Sequence, residues 1–243
     1  MIDAQHLAVD ARQLVKTYRN GAEAVRGVSL QIPAGTVFGL LGPRGAGKST
    51  LIRMLTTLCA PTSGGASVAG HDIVREQDRV RRSIGCVTQQ SGVDVHATGQ
   101  GNLDLKGRAY GLHGRELAAR KAVLLDRFAL TGVSQHPVGT YCDGMRRKLD
   151  IAMALIHDPR VLFLDEPTAG LDPGAGAEIW DQIRELAWDE GLTILLATRS
   201  VQEVGRLARR IAVIDRGLIV AEGSAEELKA ELAGGAITSR LVP

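Results

Sequence analysis

GPRGAGKST, Gly42 to Thr50, is the stretch that decides how this chain folds, and it directly follows the apolar run Val37–Leu41. Glycines at 42 and 47 followed by Lys48 and Ser49 fit the pattern G-x-x-x-x-G-K-[ST]. A strand, a glycine-rich turn and a helix start turn that string match into a phosphate site. Glycine lets backbone N–H groups converge on an anion with no Cβ in the way. The helix expected from Lys48 adds its positive dipole end. In such a loop the lysine is a point charge on the β- and γ-phosphates, and the Ser49 hydroxyl is a magnesium ligand. Gly42, Pro43, Arg44, Gly45, Ala46, Gly47, Lys48, Ser49 and Thr50 are therefore candidate nucleotide-binding residues.

The rest of the composition suits a globular chain with a proper core. Its 243 residues are 44% hydrophobic and 23% charged, which argues against disorder. A net charge of +2 implies no nucleic-acid partner. Apolar runs fall short of the roughly 20 residues that span a bilayer, and the first ten residues, MIDAQHLAVD, lack a signal-peptide core. Cys59, Cys86 and Cys142 are widely spaced and odd in number, and the histidines show no metal spacing, so a reducing compartment is expected.

Along the chain, 7–17 and 25–32 read as antiparallel strands around the Asn20-Gly21 turn, with Tyr18 just before it. Thr36–Leu41 is a buried strand and Ser49–Leu58 an amphipathic helix. Short strands are expected at 67–69 and 84–88, with a basic helix between them carrying Arg75, Arg79, Arg81 and Arg82. Helical pattern without strands fills roughly 90–158, including a helix over Arg115–Leu130, as an all-α insertion in an α/β chain. Val161–Leu164 is a buried strand running into Asp165 and Glu166. Asp172 caps a helix with Pro173 at its first position, ending near Glu190. A strand at 193–197, a hairpin around Arg216-Gly217, and a last helix capped by Ser224 and Glu227 follow. The tail from 233 to 243 reads as loose.

Phosphoryl transfer to water needs a magnesium ion near the phosphates and a group acting on the attacking water. Asp165 and Glu166 at a strand's C-terminal end supply both, where open α/β sheets bind ligands. With these motifs in order, followed by DGMRRKLDIAMAL (143–155) and VLFLDEPTAGLDP (161–173), the chain resembles the ATP-binding subunit of ABC transporters over roughly 7–232. GLLGPRGAGKST, GRAYGL and GMRRKLDIA look most like the bacterial drug and antibiotic efflux subfamily, whose permeases are separate chains. The resemblance implies a P-loop NTPase fold: a RecA-like core with a mostly parallel sheet, an N-terminal antiparallel β-subdomain and the helical insertion. It implies one domain over 1–232, ATP and Mg²⁺ as ligands, a peripheral position on the cytoplasmic face of the cell membrane, and a transmembrane permease partner. It further implies a homodimer or heterodimer with a second cassette, each ATP lying between one phosphate loop and the other chain's signature.

Position by position, Tyr18 resembles the adenine-stacking aromatic, and Gln89 (or Gln90) the glutamine that senses magnesium. Asp165 and Glu166 resemble the metal-holding acid and the catalytic base, with Lys48 stabilising charge, and Asp172 resembles the D-loop aspartate. Cys142, Asp143, Gly144 and Met145 occupy the signature that acts on the partner's nucleotide, and Arg199 the switch-histidine position. Ser49, Gln89 and Asp165 form the implied magnesium set.

Four positions depart from the family pattern: Arg44 for Asn, Cys142 for Ser, Asp143 for Gly and Arg199 for His, with Gly101 for Glu a lesser one. A thiol is a weak donor. A carboxylate about 5 Å from a phosphate charge, at an effective dielectric near 20, costs roughly 3 kcal/mol. That exceeds one neutral hydrogen bond of about 1 kcal/mol. Arginine holds a phosphate but does not change protonation near neutral pH. The expectation is a transport ATPase with a weakened ATP sandwich; the alternative is a subunit that binds ATP and gates a partner with little turnover.

Overall fold

In a computed structural model residues 7–233 are described; of the loose tail expected at 233–243, Ala233 ends the last helix and 234–243 lie outside the described residues. Strands β1 (Leu7–Thr17) and β2 (Glu23–Pro33) pair antiparallel across the turn at Gly21. Strand β3 (Val37–Leu41) then leads into helix α1 (Lys48–Leu55). Strands β4 (Ser63–Val68) and β5 (His71–Asp72) complete an antiparallel sheet in the order β2-β1-β4-β5.

Helix α2 (Gln77–Ser83) precedes β6 (Ile84–Val87). Helices α3 (Gly99–Ala109), α4 (Gly114–Arg127) and α5 (Asp143–Leu155) lie between β6 and β7 (Val161–Asp165). The chain continues through α6 (Pro173–Trp188), β8 (Thr193–Thr198), α7 (Val201–Leu207), β9 (Arg210–Asp215), β10 (Leu218–Gly223) and α8 (Ala225–Ala233). The second sheet runs β10-β9-β3-β8-β7-β6 and is parallel except for the β9–β10 hairpin. That hairpin turns through Arg216 (φ 45°) and Gly217 (φ 80°), two left-handed residues that match strand twist. The α/β architecture with a mostly parallel sheet and an antiparallel companion is the one the sequence led us to expect.

Why the central strands read as unbroken apolar runs is plain from their faces. Along β7, Val161 and Phe163 enter the core shared with α1 and the antiparallel sheet, while Leu162 and Leu164 enter the core shared with α5 and α6. In β8, Leu195 and Ala197 face the first core and Ile194 and Leu196 the second. Both faces are covered, so alternation gives way to continuous hydrophobicity. Phe38, Phe128 and Phe163 are each 0–1% exposed and anchor these cores.

Several boundaries differ from the sequence reading. The strand expected at 67–69 begins at Ser63, because β1 pairs with it from Val15 onward, and Ala69 (φ 50°) already leaves it. Arg75 precedes α2; its amide, with that of Val74, donates to Asp72 Oδ1 in a turn. Helix α4 stops at Arg127, since Ala129 is left-handed (φ 53°), and α6 stops at Trp188 before Gly191. The seven-residue α7 carries too little periodicity to read from sequence, yet Ser200 caps it by accepting from the Glu203 amide. The Ser224–Glu227 capping box forms in both directions.

Candidate functional site

Four parallel strands deliver the candidate residues to one end of the sheet. Leu41 of β3 aligns with Thr198 of β8, Ala197 of β8 with Asp165 of β7, and Leu164 of β7 with Val87 of β6. Their next residues are therefore neighbours: Gly42, Arg199, Glu166 and, one further on, Gln89. The alignment is carried past the strands by Gly42 N–H donating to Thr198 O (3.2 Å) and Glu166 N–H to Ala197 O (2.8 Å).

Close approach explains two loop glycines. A Cβ on Gly42 would stand 2.2 Å from the Ile214 carbonyl, and one on Gly47 would stand 2.4 Å from the Ala24 carbonyl at φ 108°. Both contacts are backbone, so no side chain could yield space. Gly217 N–H donates to Ala46 O (2.9 Å), clamping the loop against the β9–β10 turn. The resulting cleft, about 170 Å³, is lined by Pro43, Arg44, Gly45, Gly47, Lys48, Ser49, Thr50, Gln89, Glu166 and Arg199, together with Ala24.

Charge is concentrated there. Lys48 Nζ donates to Gly42 O (2.6 Å) and Pro43 O (3.1 Å), and it lies 3.3 Å from Glu166 Oε1. Arg199 Nε lies 3.3 Å from the same oxygen. Glu166 takes φ 53°, a left-handed value that costs a non-glycine residue energy and turns its side chain back towards the loop. Asp165 is 5% exposed, and its Oδ1 has no hydrogen-bond partner. Burial raises its carboxyl above the usual range, with Ser49 and Lys48 pulling the other way. Among the described residues no three His, Cys, Asp or Glu side chains cluster to hold a metal unaided. Ser49, Gln89 and Asp165 supply only oxygen donors, which suit Mg²⁺ shared with phosphate oxygens, and the orphaned Asp165 oxygen fits that use.

Other candidates lie apart. Tyr18 is half-buried beside the cleft, its hydroxyl 3.4 Å from that of Thr50. Cys142, Asp143, Gly144 and Met145 open α5 and do not line the cleft. Gly144 packs where a Cβ would meet Ala175 of α6 at 3.0 Å. Asp172 caps α6, its Oδ1 accepting from Ala175 N–H (3.0 Å), and also stands outside the cleft.

Sequence reading missed three supports. Arg147, 8% exposed, donates to Thr88 O (3.0 Å) and Gln89 O (3.4 Å), while Asp150 Oδ1 accepts from Gly92 N–H (2.9 Å). Helix α5 thus holds the loop that carries Gln89. Glu203, 1% exposed, accepts from Thr168 Oγ1 and Trp180 Nε1, both at 2.9 Å, tying the segment after Glu166 to α7. The available signal was a charge placed on the apolar stripe of its helix, Arg147 and Asp150 at helical spacing from Ile151 and Ala154.

Comparison with known proteins agrees with this geometry. The family model described as ABC transporter matches residues 25–169, and an AAA domain model matches 137–204. The chain is 47% identical over 234 residues to the daunorubicin/doxorubicin resistance ATP-binding protein DrrA of Streptomyces peucetius, covering 96% of this chain and 70% of that one. It is 45% identical over 224 residues to the doxorubicin resistance ATP-binding protein DrrA of Mycobacterium tuberculosis, covering 92% and 67%. Among solved structures, cbiO1 of Clostridium perfringens, part of the ABC transporter complex cbiONQ, superposes with a TM-score of 0.85 at 27% identity, covering 98% of this chain and 96% of that one. A dimeric ATP-binding cassette bound to ADP and Pi superposes with a TM-score of 0.81 at 26% identity, covering 89% and 98%. Sheet order, strand-end cleft and these likenesses together place the chain in the ATP-binding cassette family of ABC transporters.

Proposed function

We propose that this chain is the ATP-hydrolysing subunit of a bacterial ABC exporter, lying on the cytoplasmic face of the membrane beside a separate permease chain. The observation that carries this is the meeting of Lys48, Gln89, Glu166 and Arg199 around one phosphate loop, with Asp165 buried close to Ser49 and Lys48. Backbone amides of Gly45 to Thr50 and the Lys48 ammonium bind the β- and γ-phosphates. Tyr18 supplies a ring for the adenine, and Arg44 and Arg199 add positive charge at the mouth of the cleft. A bound Mg²⁺ would neutralise developing charge on the phosphates, held by Ser49, Asp165 and Gln89. Glu166, fixed by its strained backbone and the Lys48 contact, orients the attacking water and accepts its proton.

The signature residues Cys142 to Met145 lie outside the cleft, so a second cassette, identical or not, completes each site head to tail, with Asp172 at the joint. The DrrA relatives are named for daunorubicin and doxorubicin resistance, which supports a drug-like or otherwise hydrophobic cargo. No helix among the described residues is long and apolar enough to cross a membrane. The carboxylate of Asp143, the thiol of Cys142 and the guanidinium of Arg199 slow turnover without abolishing it. Steady-state phosphate release by the purified protein, set against Glu166→Gln, is the test. Release equal to that of the variant despite tight ATP binding would instead identify a subunit that binds and gates.

A further inference from the structure

Asp143 puts a negative charge at the start of the signature helix. The fold supplies a compensating group one turn later. Arg146 Nη1 lies 3.4 Å from Asp143 Oδ1. The same guanidinium donates through Nη2 to Gly139 O (3.0 Å) and through Nε to Val138 O (3.4 Å). Two carbonyls of the preceding turn therefore hold the cation in place, and its side chain is only 34% exposed against 75% for Asp143. A guanidinium already immobilised loses little further rotamer freedom when it pairs with a carboxylate. Cys142, the residue before the helix, offers no side-chain cap, whereas Thr98, Asp172 and Ser200 cap α3, α6 and α7. The tip of α5 thus presents a carboxylate and a fixed guanidinium where a neutral capping side chain would otherwise stand.

We infer that Arg146 is a positioning residue for ATP-driven pairing of cassettes: it offsets the Asp143 charge so that an acidic signature can approach a partner's triphosphate. The inference rests on the head-to-tail reading given above. Arg146 keeps the Asp143 carboxylate turned along the helix, and its remaining N–H face adds positive potential at the surface that meets the phosphate. Asp143 without Arg146 is the unfavourable combination; either both or neither is tolerated.

A double-mutant cycle tests this. Asp143→Gly, Arg146→Ala and the pair are placed in a Glu166→Gln background, and dimer dissociation constants with Mg-ATP are measured by sedimentation at two salt concentrations. With Asp143 present, Arg146→Ala should weaken the dimer about three- to five-fold, the range of an exposed charge pair. After Asp143→Gly the same substitution should change it by less than about two-fold, and the first loss should shrink at high salt. Arg146→Lys keeps the charge but lacks the planar fork that spans both carbonyls and the carboxylate, so it should restore part of the loss. Equal losses in both backgrounds, insensitive to salt, would mean that Arg146 only tethers the 138–139 turn, and would overturn the inference alone. Nucleotide binding with no ATP-dependent dimer in any variant would overturn both the inference and the head-to-tail reading.

Discussion

Asp165→Asn should make this protein more stable and less active, and the structure gives the size of the first effect. The carboxyl is 5% exposed, Oδ1 lacks a partner, and burial opposes its ionisation. Leaving a buried acceptor unsatisfied costs about 1–3 kcal/mol. The isosteric amide removes the charge and keeps the volume, but still needs a partner of its own. A net gain of about 1 kcal/mol is therefore the reasonable share. In a chain of this length that raises the melting temperature by about 2–4 °C. Magnesium should stabilise the wild type more than the variant. Saturating a site at 100 times Kd adds about 2.7 kcal/mol to the folded state, and in the wild type part of that gain passes through Asp165. The assay is thermal unfolding of both proteins with EDTA, with Mg²⁺, with ATP and EDTA, and with ATP and Mg²⁺. The wild type should gain stability when Mg²⁺ is added to ATP, and Asp165→Asn should gain far less while losing phosphate release. A variant that melts below the wild type in EDTA, or gains as much from Mg²⁺, would refute the assignment of the orphaned oxygen to the metal.

Three further outcomes follow from the same contacts. Lys48→Ala removes the cation 3.3 Å from Glu166 and the ties to Gly42 and Pro43, and should weaken ATP binding by at least tenfold in calorimetry while the far-ultraviolet dichroism stays the same. Arg147→Ala strips the loop at 88–89 of two hydrogen bonds and leaves Asp150 buried without its nearby cation, so it should destabilise by about 2–4 kcal/mol, faster amide exchange over 88–92 being the local readout, with Asp150→Asn recovering part of the stability. His157 stacks on Tyr110 and donates from Nε2 to Ile84 O, and burial pushes its pKa down to about 4. The unfolded chain binds that proton first, near pH 6.5. Stability should therefore fall as pH drops from about 6.5 towards 4, and His157→Gln should flatten this slope in melts across that window.

Local order in the sequence was enough for much of this. GPRGAGKST names its own loop, because glycine spacing, lysine and hydroxyl act within nine consecutive residues, and VLFLDE names a strand with acids at its tip. Apolar runs identify β3, β7 and β8 as strands covered on both faces, since only a buried parallel strand needs every residue apolar. Asp172 and Ser224 could be read as caps because a cap and its amides are neighbours in the chain. Packing decided the rest. That Gln89 is held by Arg147 and Gly92 by Asp150 depends on α5 lying against the loop after β6, across 58 residues of chain. That Thr168 answers to Glu203 depends on α7, a helix too short to announce itself. Spacing alone pairs Arg146 with Asp143, but that the 138–139 carbonyls fix the guanidinium depends on the packing of the preceding turn. A motif carries its chemistry wherever it is written, whereas a side chain's partner is set by which surfaces the core brings together.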